Sequence, residues 1–361
     1  MSGWMRKKNI LILFLIEFMK SMGFKYFKYL TFRKTLNIIN TFISYGLSLV
    51  FSVPIVLNYP FILTIEPTNF CNLSCPQCPS GAGLLKRKKG HLKFNDFKKI
   101  IDELGKYLLE VLLYFQGEPF LNNDIFSMIN YAKENKIMTT VNTNGNFTDI
   151  ERTAENIVNS GLEKLIISLD GTNEITYNKY RKGGSFKRVL DGIQEIISRR
   201  NRNNFPRPLV FLQFLLMKHN EDELEEFKRL TGEIGCDGYI VKTVQIYPEL
   251  GFDEFLPSKN ELSRYTYDGE GINFKGKVKN RCKRVWANMV ITWDGTFVPC
   301  CFDKDARYNL GNVFKKKNAL SLWKAPASRK FRKRILQNQK QIDICNNCIE
   351  TLKIPHIITR G

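Results

Sequence analysis

Residues 61–78 read Phe61-Ile62-Leu63-Thr64-Ile65-Glu66-Pro67-Thr68-Asn69-Phe70-Cys71-Asn72-Leu73-Ser74-Cys75-Pro76-Gln77-Cys78. The opening run, Phe61 to Glu66, is short, apolar and rich in β-branched side chains, the pattern of a buried strand. It feeds directly into a loop that carries Cys71, Cys75 and Cys78 in a C-x3-C-x2-C spacing. Three thiolates on one short loop can converge on a single metal centre. Iron–sulfur cubanes take four cysteines, so three would leave one iron open to a substrate or cofactor. A zinc knuckle is the competing reading, with His91 the nearest histidine to complete it.

Outward from that stretch, strand and helix patterns alternate. Strands are predicted at Phe61–Glu66, Glu110–Phe115, Met138–Asn142, Lys164–Leu169, Leu209–Met217 and Tyr239–Ile246. Helices are predicted between them, at Asp96–Leu104, Asp124–Glu134, Ile150–Asn159, Phe186–Arg199 and Asp222–Ile234, the last opened by a capping box of Asn220 and Glu223. Six β units with crossover helices imply a parallel α/β sheet, open or a partial barrel, whose functional residues gather at the C-terminal ends of the strands. Past Pro248 the alternation stops. There a hairpin is expected around Trp293-Asp294-Gly295, followed by a basic helix from Ala319 to Leu336. The expected division is 1–58, an N-terminal apolar helical segment; 59–250, a catalytic core; and 251–361, a small C-terminal domain.

The chain has 361 residues, 43% hydrophobic and 25% charged, which excludes a disordered or polytopic membrane protein. Lys and Arg number 55 against 35 Asp and Glu, a net charge of +20 that calls for an acidic partner. Nine cysteines are too few for a secreted disulfide scaffold and suit metal binding in a reducing, cytoplasmic compartment. The apolar run Ile10–Ile16 after Arg6, Lys7 and Lys8 lacks a cleavage site, so secretion is rejected. From Asn37 to Leu57, polar Asn37, Asn40, Thr41, Ser44, Ser48 and Ser52 form a narrow stripe opposite Leu36, Ile39, Ile43, Leu47 and Val50. This helix either packs on the catalytic domain or lies at the inner membrane surface.

In its cysteine spacing and position the chain resembles the radical S-adenosylmethionine superfamily. Three further strand-end elements agree with that resemblance: Gln116-Gly117-Glu118-Pro119, with Gln116 in place of a glycine; Asn142-Thr143-Asn144-Gly145; and Ser168-Leu169-Asp170-Gly171. The resemblance implies a partial (β/α)6 barrel and a [4Fe–4S] cluster on Cys71, Cys75 and Cys78. The open iron of that cluster chelates S-adenosylmethionine, and reductive cleavage yields a 5′-deoxyadenosyl radical that takes a hydrogen atom from the substrate. It also implies that Gly117 and Glu118 face the methionine ammonium, that Asn142 and Ser168 face ribose or carboxylate, and that Arg181 pairs with the carboxylate.

Cys282, Cys300, Cys345 and Cys348 resemble a SPASM domain, shortened to a twitch-like form because no cysteine follows Cys348. One auxiliary [4Fe–4S] cluster with four thiolates is the expectation, with Cys301 a bystander and a zinc ribbon the alternative. Cys236 and Met217 are read as core, and His91, His219 and His356 are given no role. The substrate is expected to be a small molecule such as a sugar or cyclitol, which is oxidised, or a peptide whose side chain is modified. The electron donor is expected to be an acidic flavodoxin or ferredoxin. The rival of a different class is a zinc-bearing nucleic-acid-binding protein, motivated by the charge and by the run Arg329–Arg334, although no nucleic-acid module is visible.

Overall fold

The computed structural model describes residues 24–251, 254–315, 318–348 and 357–360. The basic triplet at Arg6, the apolar run Ile10–Ile16 and His356 lie outside the described residues. Helix α1 (Phe32–Phe51) leads into the alternating core of β1 (Ile62–Ile65), α2 (Phe94–Leu104), β2 (Glu110–Leu112), α3 (Ile125–Glu134), β3 (Met138–Thr143), α4 (Ile150–Asn159) and β4 (Lys164–Ser168). The core continues with α5 (Glu174–Tyr180), α6 (Phe186–Arg202), β5 (Leu209–Leu216), α7 (Leu224–Ile234) and β6 (Gly238–Thr243). Beyond it lie β7 (Tyr265–Tyr267), β8 (Ile272–Phe274), α8 (Arg284–Ala287), β9 (Asn288–Ile291), β10 (Phe297–Val298), α9 (Ala319–Trp323), α10 (Pro326–Asn338) and β11 (Ile357–Arg360).

Strands β1 to β6 pair in parallel and in sequence order, as six β units joined by crossover helices require. Their apolar side chains are buried: Leu63, Ile65, Val111, Val141, Leu165, Ile167, Val210, Leu212 and Phe214. Each covering helix contributes one apolar stripe, such as Val189, Ile193, Ile196 and Ile197 of α6. Local caps set the helix starts. Asp149 accepts from the Arg152 N–H at 3.0 Å to open α4, and Ser185 accepts from the Arg188 N–H at 3.2 Å to open α6.

The C-terminal region extends the same sheet. Strand β9 pairs in parallel with β1, β10 folds back on β9 around the expected Trp293-Asp294-Gly295 turn, and β11 pairs antiparallel with β6. The full order is β10-β9-β1-β2-β3-β4-β5-β6-β11.

Three local expectations change. The predicted basic helix breaks at Pro326 into α9 and α10, because proline cannot continue a helix but suits its first turn. Arg332 within that run is buried, 4.3 Å over the Trp323 ring and donating to the carbonyls of Val285 and Trp323 at 2.8 and 2.7 Å. The run is therefore not one continuous basic face. Asn220 does not cap α7, which starts at Leu224; its side chain instead donates to the carbonyls of Asp170 and Leu215 and accepts from the Met217 N–H. Cys236 and Met217 pack into the core as expected.

Helix α1 crosses the end of the barrel where the strands begin. Lys34 Nζ donates to the carbonyl of Lys136, just ahead of β3, at 2.6 Å, and Lys28 pairs with Glu163 just ahead of β4. Its polar stripe faces inward. Asn37 exchanges hydrogen bonds with the backbone of Tyr59 at 3.1 and 2.9 Å, Ser44 accepts from the Leu57 N–H, and Ser48 accepts from the Ile55 N–H, both at 2.9 Å. These contacts satisfy a returning segment that has no sheet neighbour.

Candidate active site

At the opposite end of the barrel, the loops that follow the strands enclose a cavity of about 350 Å³. Cys71, Cys75 and Cys78 line it together with Gly117, Glu118, Asn142, Ser168 and Arg181, so the first cysteine set and every strand-end residue singled out in the sequence meet in one place. Local backbone geometry holds the cysteine loop there. The Cys78 N–H donates to the Cys75 carbonyl at 3.2 Å, and the Ser74 N–H donates to Lys182 at 2.9 Å. Gly81 returns so close that a Cβ would sit 2.6 Å from the Cys75 nitrogen.

Gly117 docks that loop onto β2. It has φ +76°, and a Cβ there would lie 2.5 Å from the Phe70 carbonyl oxygen and 2.6 Å from that of Thr68, so no other residue fits. The Gly117 N–H donates to Ser80 Oγ at 3.3 Å. Glu118 is buried and accepts from Thr143 Oγ1 and the Asn144 N–H, both at 2.7 Å, and from the Phe120 N–H at 3.2 Å. A carboxylate has about four acceptor sites, so these three contacts leave room for one more donor from the cavity. Burial pushes the Glu118 carboxyl up, against those hydrogen bonds. Its first task is to tie the end of β3 to the end of β2.

Asn142, Ser168 and Gln213 form a polar row across β3, β4 and β5. Ser168 Oγ donates to Asn142 Oδ1 at 3.2 Å, and Gln213 Nε2 to Ser168 Oγ at 3.3 Å. Arg181 Nε and Nη2 grip Asp170 Oδ2 at 2.6 and 2.5 Å, which turns Nη1 toward Cys75 Sγ at 3.9 Å. Arg181 thus brings positive charge to the cysteine loop, and its carboxylate partner in the protein is Asp170. Asn144 Nδ2 lies 3.9 Å from Cys71 Sγ.

Burial pushes the Cys71 and Cys75 thiols up, to about 11 and about 12, and for both the Cys78 charge adds to the rise while Arg181 opposes it. The second set behaves in the same way. Burial raises the Cys300 thiol well above its ordinary value, with Cys301, Cys282 and Cys348 adding to it, and Cys345 rises to about 12 through burial with Cys282 adding. Each set is therefore mutually close, and none of the nine cysteines is in a disulfide. Among the described residues no three Cys, His, Asp or Glu side chains close on one point as a single metal ion would require. A cubane takes one thiolate per iron, so the donor sets fit clusters, three thiolates for one and four for the other.

Sequence reasoning missed the far wall of the cavity: Gln213, Lys242, Gln245, Arg264 and Lys304. Lys304 reaches across from the C-terminal region, 3.4 Å from Gln245 Oε1 and 5.0 Å over the Tyr247 ring, and closes the barrel's side. Arg87 ties the same region down. Its guanidinium holds Glu66 through two contacts of 2.6 and 2.5 Å, and Nε donates to the Lys304 carbonyl at 2.7 Å. His91 stacks on Phe70 at 4.9 Å, which leaves it an aromatic packing role.

Comparisons with known proteins agree with this geometry. A family model described as the Radical SAM superfamily matches residues 65–231, and one described as an iron–sulfur cluster-binding domain, SPASM, matches residues 282–349. A probable GTP 3′,8-cyclase of Methanocaldococcus jannaschii is 26% identical over 67% of this chain and 85% of its own length. The mycofactocin maturase MftC of Mycolicibacterium smegmatis is 30% identical over 50% of this chain and 44% of its own, so the match spans less than half of that relative. Streptococcus suis SuiB bound to S-adenosylmethionine shares the fold, with a TM-score of 0.62 at 17% identity over 87% of this chain and 77% of that one. With both cysteine sets in place and both family models matched, the chain belongs to the radical S-adenosylmethionine superfamily and is an iron–sulfur, S-adenosylmethionine-dependent enzyme with a C-terminal SPASM domain.

Proposed function

We propose that this enzyme removes a hydrogen atom from a substrate that carries an anionic group, and that the reaction is an oxidation. One observation carries the reading. Lys242, Arg264 and Lys304 line the cavity, and among the described residues the one carboxylate lining it is Glu118, already bound by three donors. Burial pushes Lys242 down to about 8, and Arg284 and Lys164 add like charge. A phosphate or carboxylate on the substrate would offset that concentration of positive charge. The archaeal relative, named as a GTP 3′,8-cyclase, supports an anionic substrate.

Cys71, Cys75 and Cys78 would hold the catalytic cluster, and Cys282, Cys300, Cys345 and Cys348 a single auxiliary one. When bound, the catalytic cluster and S-adenosylmethionine supply one-electron reductive cleavage and a hydrogen-abstracting radical. The chain's own residues do the rest. Gly117 and Glu118 fix the strand ends on which the methionine end sits, with the spare acceptor site of Glu118 for its ammonium. Asn142, Ser168 and Gln213 offer hydroxyl and amide groups to the ribose. Arg181 balances the cysteine loop and keeps Nη1 toward the cavity, while Lys304 and Phe302 shield its side from water. Four thiolates leave the auxiliary cluster no open iron, which suits it to accept the second electron of an oxidation.

A small anionic molecule is the first substrate form. A peptide side chain is the second, favoured by the maturase relative. An acidic, low-potential flavodoxin or ferredoxin would supply electrons at the exposed basic residues of α10, beside Cys345, where the Arg334 charge already reaches that thiol. Nine cysteines without a disulfide suit a reducing cytoplasm.

The test uses enzyme with both clusters and extract from cells grown in deuterated medium, separated on an anion exchanger. Fractions retained by the exchanger should transfer deuterium to 5′-deoxyadenosine. Transfer confined to the unretained fraction would overturn the anionic assignment.

A further inference from the structure

Helix α1 is amphipathic in the inverted sense. Its polar stripe is buried, and its apolar stripe points to solvent: Leu36, Ile39, Ile43, Leu47 and Val50 are 37–47% exposed, and Phe32 is 86% exposed. These six positions follow one another at intervals of three or four residues, a straight apolar line along one helix face. Phe27 extends the line at one end, and Phe51, Val53 and Leu57 extend it at the other, all exposed. Leaving so much apolar surface in water on the outside of a helix costs stability, and patches of this kind mark contact surfaces.

Charge identifies what covers it. No Asp or Glu occurs between Glu17 and Glu66, and Arg33 stands exposed beside Phe32, while Lys34 is turned inward and Lys28 is paired with Glu163. A second copy of the chain would set Arg33 against the same acid-free face, with no carboxylate to pair it. Apolar side chains in a plane, flanked by aromatic and basic residues, match the interface of an anionic bilayer. Helix α1 is not apolar enough to cross a membrane, and its polar stripe is tied to residues 55–59, so its apolar face lies along the plane of the surface.

We propose that α1 seats the enzyme on an anionic lipid surface through Phe32, Leu36, Ile39, Ile43, Leu47 and Val50. The geometry also sets the orientation. Helix α1 covers the end where the strands begin, ahead of β3 and β4, and the cavity lies where they finish. The bilayer therefore meets the floor of the barrel, and the active site opens away from it. On this arrangement substrate and electron donor arrive from the aqueous side, and lipid does not enter the cavity.

The experiment uses full-length protein with its clusters and vesicles of phosphatidylglycerol and phosphatidylcholine in equal parts, with phosphatidylcholine alone as the control. Wild-type protein should sediment with the anionic vesicles and much less with the neutral ones. The double variant Ile43→Glu, Leu47→Glu should lower binding by about tenfold or more, because it removes two apolar anchors and adds negative charge. Both side chains point outward, so the melting temperature and iron content should stay at wild-type levels. For orientation, Leu47→Trp should gain fluorescence that brominated acyl chains quench. Ile175→Trp, 76% exposed on α5 at the cavity end, should not be quenched. Failure of the wild type to bind anionic vesicles overturns the proposal. So does vesicle binding that ignores the double variant, or a dimer in solution that the double variant dissociates.

Discussion

The two cysteine sets of this chain are built on opposite principles. The first, Cys71, Cys75 and Cys78, lies on one loop and is positioned locally: by Gly117 and Asn144 at the ends of β2 and β3, by Arg181 at the end of α5, and by Ser80 and Gly81 of the loop itself. The second, Cys282, Cys300, Cys345 and Cys348, is scattered along the C-terminal region. It is gathered by packing, with Trp286, Trp323, Phe331 and Ile335 buried beneath it in the core. Three thiolates on one loop would leave one iron of a cubane open, whereas thiolates gathered by packing from distant segments could supply all four. The difference teaches that coordination number would follow from where the thiolates are drawn: a short loop for the open iron, the core for the closed one.

The comparison breaks most sharply at the loop. Cys71→Ala combined with Cys75→Ala and Cys78→Ala should abolish S-adenosylmethionine cleavage and leave about four of roughly eight irons, since the second set does not depend on the first. Iron analysis and 5′-deoxyadenosine assay of anaerobic protein check both halves, and retained cleavage would collapse the distinction. Next in size, Cys300→Ala should lose about half of the iron while Cys301→Ala loses none. Cys301 Sγ lies 3.5 Å from Arg284 Nη1, an interaction that needs no metal. The opposite pattern would move the ligand by one residue.

Smaller again is the effect of charge on electron delivery. Lys330→Glu with Lys333→Glu, both exposed on α10, should slow turnover driven by reduced flavodoxin by about tenfold at low salt, the gap closing as salt screens it. Turnover driven by dithionite should not change. The smallest effect concerns the far wall. Because burial lowers Lys242 to about 8, its positive charge is present below that pH and is lost as pH rises through it. Apparent substrate affinity should fall several-fold across that step, and Lys242→Met should remove the step while weakening affinity at pH 7. A pH profile of KM in the wild type and the variant measures it.

How far the site was legible follows from how local its parts are. The cysteine loop, the Gly-Glu-Pro turn and the hairpin around Trp293 are consecutive residues, so spacing alone exposes them. Gln213 and Lys242 were missed because each is an isolated polar side chain on a late strand, and Arg264 because it comes from the segment before the separate β7–β8 hairpin; only the fold brings them to one cavity. A polar residue inside an apolar strand was the available signal, Gln213 in Leu209–Leu216 above all. Asn220 misled because an asparagine three residues before a glutamate mimics a helix start, whereas its side chain is needed to brace the Asp170 turn that holds Arg181. The stripes of α1 were visible in sequence. Which one faces inward was not, because the backbone of residues 55–59, which lacks sheet partners, is what draws the polar stripe in.

The pairing of β9 with β1 has a consequence for how the protein is made. Ile62 and its partner Asn288 are 226 residues apart in sequence. A ribosome adding about 5–20 residues per second would leave the β1 edge waiting for roughly 10–45 s before its neighbour emerges. For that interval the nascent barrel carries an open strand edge, the feature that recruits chaperones or seeds aggregation. Expressing the N-terminal portion alone would make the delay permanent. Shortened versions of this enzyme should accumulate as insoluble material even when every residue of the first cysteine loop is present.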